Sequence, residues 1–124
     1  MTSGIYRVNK SYCFIAAIDS DERPLRRYAL GEHVRLKRLG PFFEAYMPES
    51  RVGVAYYPPM SIPTGNPDDP FTGIGAIVTI SGRSKKAVQR VGREILSQMK
   101  ESEDPDSVQR FISCVEQNYR QRRS

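Results

Sequence analysis

A chain of 124 residues with 39% apolar and 27% charged side chains has the composition of one folded domain, long enough to bury a modest core without covalent staples. Nineteen Lys and Arg against fourteen Asp and Glu leave a net charge of +5, which suits a polyanionic partner without requiring one. Two cysteines distant in sequence, Cys13 and Cys114, and a single histidine, His33, supply neither a disulfide framework nor a zinc site. The expectation is two buried, reduced thiols in an intracellular protein. Met1 to Ile5 lacks a signal-peptide pattern, and the longest mostly apolar run, 74–80, is too short to span a bilayer, so no membrane role is expected.

Taken in chain order, Tyr12-Cys13-Phe14-Ile15-Ala16-Ala17-Ile18 is an apolar, aromatic run that ends in a polar cluster containing Pro24, the pattern of a strand followed by a turn. From Leu25 to Leu39 the pattern is mixed. Val34, Leu36 and Leu39 among Arg35, Lys37 and Arg38 predict a short basic helix, broken at Gly40-Pro41. Val52 to Tyr57 is β-branched and aromatic, a strand stopped by Pro58-Pro59. Five prolines between 58 and 72 predict a long loop, and 74–80 is the clearest strand.

Ser84 is placed to cap a helix over 85–100, whose Val88, Val91, Ile95 and Met99 recur at spacings of three and four. Asp104-Pro105 opens a further helix, 104–121, with Val108, Phe111, Ile112, Val115 and Tyr119 as its apolar stripe. No internal repeat or second domain is evident, and residues 1–124 read as one unit.

Catalytic constellations are missing. No GxGxxG, GxxxxGK[ST] or GxSxG occurs, and His33 has no Cys or His at ligand spacing. Glu44 with Glu49, and Asp68 with Asp69, read as solvated acids. The expectation is therefore a protein that is not an enzyme, with no catalytic residue, metal, cofactor or small-molecule substrate.

Four pieces of the chain fall in a recognisable order. They are Tyr46-Met47-Pro48-Glu49; Val52-Gly53-Val54-Ala55-Tyr56-Tyr57 with Pro58-Pro59; Gly75-Ala76-Ile77-Val78-Thr79-Ile80 with Ser81-Gly82-Arg83-Ser84; and Val91-Gly92-Arg93-Glu94-Ile95. In this order the chain resembles one repeat of the TATA-box-binding protein family. There a helix, a Tyr-x-Pro-Glu element, a strand of small residues, a Pro-containing turn, a strand opening with Gly, a polar turn and a long helix follow one another. The resemblance covers residues 44–100, with a weaker extension that takes Val34–Leu39 as the first helix and starts the repeat near residue 30.

It implies an α+β fold, an antiparallel curved sheet with helices packed on one face, forming half of a saddle. Alternation along the strands then sets Val52, Val54, Tyr56, Ile77 and Thr79 under the helix. Arg51, Gly53, Ala55, Tyr57, Ala76, Val78 and Ile80 fall on the other face.

In the family that face lies on duplex DNA in the minor groove, in the service of transcription. The resemblance thus implies a DNA-contacting set of Arg51, Gly53, Ala55, Tyr57, Phe71, Val78, Ile80 and Arg83, with further phosphate contacts from Arg35 and Lys37. Where the family inserts two phenylalanines per repeat, this chain has Arg51 and, one residue from register, Phe71. A single repeat implies a homodimer or a protein partner. Two alternatives stand beside DNA binding: a protein-interaction module of the same fold, and an accessory lobe of an ATP-grasp ligase, which ends in a similar strand, Gly-x-Ser turn and helix.

Overall fold

The computed structural model describes residues 3–8, 10–29, 35–38, 43–64, 66–104 and 106–114. The N-terminal apolar run forms the second strand of a hairpin, β1 (Ser3–Val8) with β2 (Ser11–Ile18), in unbroken antiparallel register from Ser3 opposite Ala16 to Val8 opposite Ser11. A short helix, α1 (Arg23–Ala29), then leads to β3 (Arg35–Arg38), β4 (Phe43–Met47) and β5 (Val52–Tyr57). A second hairpin, β6 (Met60–Pro63) with β7 (Phe71–Ile74), precedes β8 (Ala76–Gly82) and the long helix α2 (Lys85–Leu96). Residues 107–114 are helical.

The fold is α+β. Six strands form one antiparallel sheet in the order β1-β2-β8-β5-β4-β3, and α1 and α2 pack on one side of it. The side chains from β2, β4, β5 and β8 that point to that side are buried: Phe14, Ala16, Ile18; Phe43, Ala45, Met47; Val52, Val54, Tyr56; and Ala76, Val78, Ile80. Val88, Val91 and Ile95 of α2 close over them, and Leu25 of α1 joins the cluster. The Ser84 side chain caps α2 by accepting a 3.2 Å hydrogen bond from the Ala87 amide.

The second side of the sheet carries a smaller core. Ile15, Ala17 and Ile77 are buried there beneath Ile62 and Ile74 of the β6–β7 hairpin and Val108 of the C-terminal helical segment. Tyr57 packs on Phe111 with ring centroids 5.3 Å apart. Ser107, fully buried, joins the start of that segment to the β7–β8 junction: its hydroxyl accepts from the Gly75 amide at 3.5 Å and donates to Asp104 at 3.1 Å.

Several expectations need correction. The segment from Leu25 to Leu39 does not hold one basic helix over its second half: the helix is α1, at Arg23–Ala29, and Arg35–Arg38 is the edge strand β3. Apolar and basic residues alternating from Val34 to Lys37 satisfy a period of two as well as a helix, and pairing with β4 decides between them. Gly40 and Pro41 lie outside the described residues, as do Val34 and Leu39. The 58–72 loop contains β6 and the first half of β7, because a two-stranded ribbon offers edges where a proline forfeits no ladder hydrogen bond; Pro63 sits opposite Phe71.

The β8 residues are also assigned to the wrong faces by alternation alone. β5 pairs with β8 so that Val54 opposes Ile80 and Tyr56 opposes Val78. Directly opposed residues share a face, so Ala76, Val78 and Ile80 lie under α2, while Ile77 and Thr79 turn the other way. Finally, α2 ends at Leu96 rather than residue 100, although Met99 is still buried in the same core. The C-terminal helix begins near the expected position, and its continuation over 115–121, with Val115 and Tyr119, lies outside the described residues.

Gly92 marks the closest approach of α2 to the sheet. A Cβ built there would stand 2.7 Å from the Phe14 ring, far inside contact distance. Helix propensity alone favours Gly92→Ala by about 1 kcal/mol. Overpacking against a ring that is itself buried outweighs this, and a net loss of roughly 1–3 kcal/mol is expected. Urea denaturation checks the sign directly.

Candidate nucleic-acid interface

The strand ends and turns gather at two ends of the sheet, and these differ in charge. At one end lie the β1–β2 turn with Lys10, the β4–β5 turn with Arg51, and the β8–α2 turn with Arg83. They are neighbours through the ladder: Tyr12 opposes Gly82, Gly53 opposes Ser81, and Met47 opposes Val52. The Arg51 carbonyl lies 3.0 Å from where a Gly82 Cβ would be, which sets the β4–β5 turn against the start of the β8–α2 turn.

α2 begins at this same end with Lys85 and Lys86 and has no acidic residue in its first turn. Two cations on the positive end of a helix dipole oppose it, at a cost of several tenths of a kcal/mol each. Lys10, Arg51, Arg83, Lys85 and Lys86 are all exposed, and none joins the ion pairs found among the described residues. The acid in these turns is Glu49. Arg51 also holds a left-handed backbone, φ 57°, uncommon for a residue other than glycine.

The opposite end is acidic and internally paired. Asp19 faces Lys100 at 3.7 Å, Asp21 bonds Arg23 at 2.6 Å, Glu22 meets Arg26 at 3.5 Å, and Asp104 is held by Arg110. The Arg23 guanidinium lowers the Asp21 carboxyl below its usual range, and the Asp106 amide and the Arg110 guanidinium do the same for Asp104. The arginines of α1 adjoin this end, and two of the three are already committed to carboxylates.

On the second side of the sheet, the hairpin and C-terminal helical segment cover the half near the acidic end. Tyr46, Gly53, Ala55, Thr79 and Ser81, toward the basic end, keep partial or full exposure. Small and hydroxylic side chains thus make an open patch beside the cationic turns. Glu44, opposite Ala55, is the acid on it.

The expected contact set is therefore split. Arg51, Gly53 and Arg83 come together at the basic end, and Ala55 lies on the open patch beside them. Tyr57 faces the same side but is capped by Phe111. Phe71 is 62% exposed on β7, away from the patch and outside the main sheet. Val78 and Ile80 are fully buried under α2 and cannot meet a ligand on the other side. Arg35 stands at the basic end of β3, opposite Tyr46, and Lys37 lies where the β3–β4 register shifts. Lys10, Lys85 and Lys86 were not in the expected set. The signal for the last two was the missing acid after the Ser84 cap.

Among the described residues no three His, Cys, Asp or Glu side chains cluster as a metal site, and no described helix is long and apolar enough to cross a membrane. His33 lies outside the described residues. Cys13, beside the open patch, packs on the second core, and burial pushes its thiol up to about 11. Cys114 packs on the same core from the C-terminal segment, and neither cysteine forms a disulfide.

A raised thiol pKa means that the folded state favours the neutral form. That contribution is complete below the unfolded thiol's pKa and is lost as the pH rises through about 11. Burial raises the Tyr56 phenol as well, adding a fall of the same sign. Stability should decline between pH 9 and 11, with up to about 2–3 kcal/mol of the decline from Cys13. Urea midpoints measured across that interval should fall less steeply for Cys13→Ala than for the parent.

No family model, curated protein or solved structure matches this chain.

Proposed function

We propose that this protein binds duplex DNA through the basic end of its sheet and the adjoining open patch, with a role in transcription of the kind its resemblance to TATA-box-binding protein implies. The observation that carries this reading is the convergence of Lys10, Arg51, Arg83, Lys85 and Lys86 on one end, outside the ion pairs of the described residues and against the dipole of α2. Cations held where they destabilise their own helix are well used if a phosphate backbone neutralises them. The element order also supports it. A helix, strands around Tyr46-Met47-Pro48-Glu49, the β5 strand, a Pro turn, the β8 strand, a polar turn and α2 follow the succession of the family's repeat, with the β6–β7 hairpin added.

The contact surface differs from the one the resemblance implies. Val78 and Ile80 leave it, and Tyr46, Thr79 and Ser81 enter, so the patch is more polar and smaller than a whole sheet face. Bound phosphates should release counterions, and the affinity for a duplex should fall with salt at a log–log slope of about −4 if most of the five cations make contacts. Fluorescence anisotropy with a labelled AT-rich duplex at several salt concentrations tests this. A parent protein that shows no binding even at low salt would refute the reading.

The protein-interaction alternative has its own observation. Phe71, exposed beside the acidic tip at Asp68 and Asp69, is a side chain of the kind that anchors a protein contact. Its tip is held by hydrogen bonds from the Thr64 amide to the Pro70 carbonyl at 3.0 Å and from the Asp68 amide to the Asn66 side chain at 3.0 Å.

A further inference from the structure

We propose that β1 is the joint to a second copy of this chain, paired antiparallel to its twin about a two-fold axis so that the two sheets run on as one. This inference is independent of DNA binding and names the surface by which the chain doubles.

The two edges of the sheet are built differently. β3 carries Arg35, Lys37 and Arg38 within four residues, and its pairing with β4 shifts register between Leu36 and Arg38. Charge and irregularity are both devices that keep an edge from pairing with another chain. β1 has neither. It runs in regular register from Ser3 to Val8, holds no Pro or Lys, and carries one Arg. Among the described residues no strand lies on its outer side.

Its sequence fits its own reverse. Two residues separate Val8 from Ser11, and in a hairpin of that length the closing pair exchanges both backbone hydrogen bonds. Alternation then turns the amides and carbonyls of Tyr6 and Gly4 toward β2, and those of Ser3, Ile5 and Arg7 outward. The antiparallel register that uses all three outward residues sets Ile5 opposite Ile5 on the axis and Ser3 opposite Arg7. No like charges meet. Self-pairing of β3 would instead crowd three cations from each copy.

Charge favours a second copy as the occupant. Antiparallel pairing brings the basic end of one copy, with Arg7 and Lys10, alongside the more acidic end of its twin, where Glu101 sits with Asp19 and Asp21, the last two ion-paired to Lys100 and Arg23 within their own copy. A two-fold axis perpendicular to the sheet keeps the helices of both copies on one side, and Ile5, which packs against the α2-side core, continues that core across the joint.

Sedimentation equilibrium at tens of micromolar should give twice the 14.1 kDa chain mass. Ile5→Lys sets two ammonium groups against each other on the axis, and Arg7→Pro removes an outward amide without touching the β1–β2 ladder. Each should weaken dimerisation at least 100-fold while the circular dichroism spectrum of the monomer is kept. Phe71→Ser should leave the dimer intact. As a check that needs no loss of binding, Ile5→Cys should form a covalent dimer under mild oxidant, because hydrogen-bonded partners lie about 5.5 Å apart between Cα atoms, within disulfide reach. A monomeric parent at several hundred micromolar overturns the proposal. So does a dimer that survives both β1 changes, dissociates with Phe71→Ser, or fails to cross-link through Ile5→Cys.

Discussion

Val91→Asp should destabilise the fold by on the order of 4 kcal/mol, much of what a domain of this size has. Val91 is fully buried where α2 crosses the sheet, among Val88, Ile95 and the inward side chains of β2, β5 and β8. The cations of α2 lie on its exposed side, so a carboxylate at that position gains no ion partner. It stays in the core only by taking up a proton, so its folded pKa must rise. The penalty should therefore be largest at neutral pH and shrink as the pH falls toward 4, where the unfolded chain is protonated as well. Thermal melts at pH 7 and pH 4 read both effects. A variant that melts within two degrees of its parent at pH 7 would mean that α2 presents another face to the sheet.

Reversal of two cations at the basic end should nearly abolish DNA binding. Each phosphate contact contributes close to one power of ten in affinity at 0.1 M salt through counterion release. Arg83→Glu with Lys86→Glu should thus cost about 60-fold from the lost contacts alone, and more once two carboxylates face the phosphates. The log–log salt slope should become shallower by about 2. Stability should hold or rise slightly, since a carboxylate in the first turn of α2 suits the dipole that Lys86 opposes. A loss of binding with a gain in stability separates an interface from a folding defect. Val78→Glu, by contrast, is not a usable probe of the interface, because Val78 belongs to the core and the substitution would bury an unpaired carboxylate and unfold the sheet.

The strongest local signals in the sequence correspond to elements of the fold. Val52–Tyr57 was legible from β-branched and aromatic residues stopped by Pro58-Pro59, and it is β5 with those bounds. Ser84 and the Val88, Val91, Ile95 stripe located α2 and its buried face. What alternation along one strand lacks is its phase relative to the next strand. The side chains of β5 were placed on the correct face, while those of β8 were not, because only the opposition of Tyr56 and Val78 ties the two together. The β1 strand was not legible in the sequence, since Gly4 and Arg7 interrupt its apolar residues and only the pairing with β2 marks it as a strand.

The candidate interface was legible only in part. The resemblance named Arg51 and Arg83, but not Lys10, Lys85 or Lys86. That they meet with Lys10, Lys85 and Lys86 depends on strand order, in which β8 lies between β2 and β5. Likewise, the cover over Tyr57 and Ile77 comes from Phe111 and Val108, whose stripe gives no clue to which side of the sheet it seeks.

The most direct measurement is anisotropy of a labelled AT-rich duplex, titrated side by side with the parent, the Arg83→Glu/Lys86→Glu variant and Lys100→Glu. Lys100 lies at the acidic end facing Asp19, so its reversal should lower affinity only a few-fold, as a general loss of positive charge does. The double variant should lose about 60-fold or more under the same conditions. Equal loss per charge reversed at the two ends, or a parent that does not bind, would contradict DNA binding at the basic end.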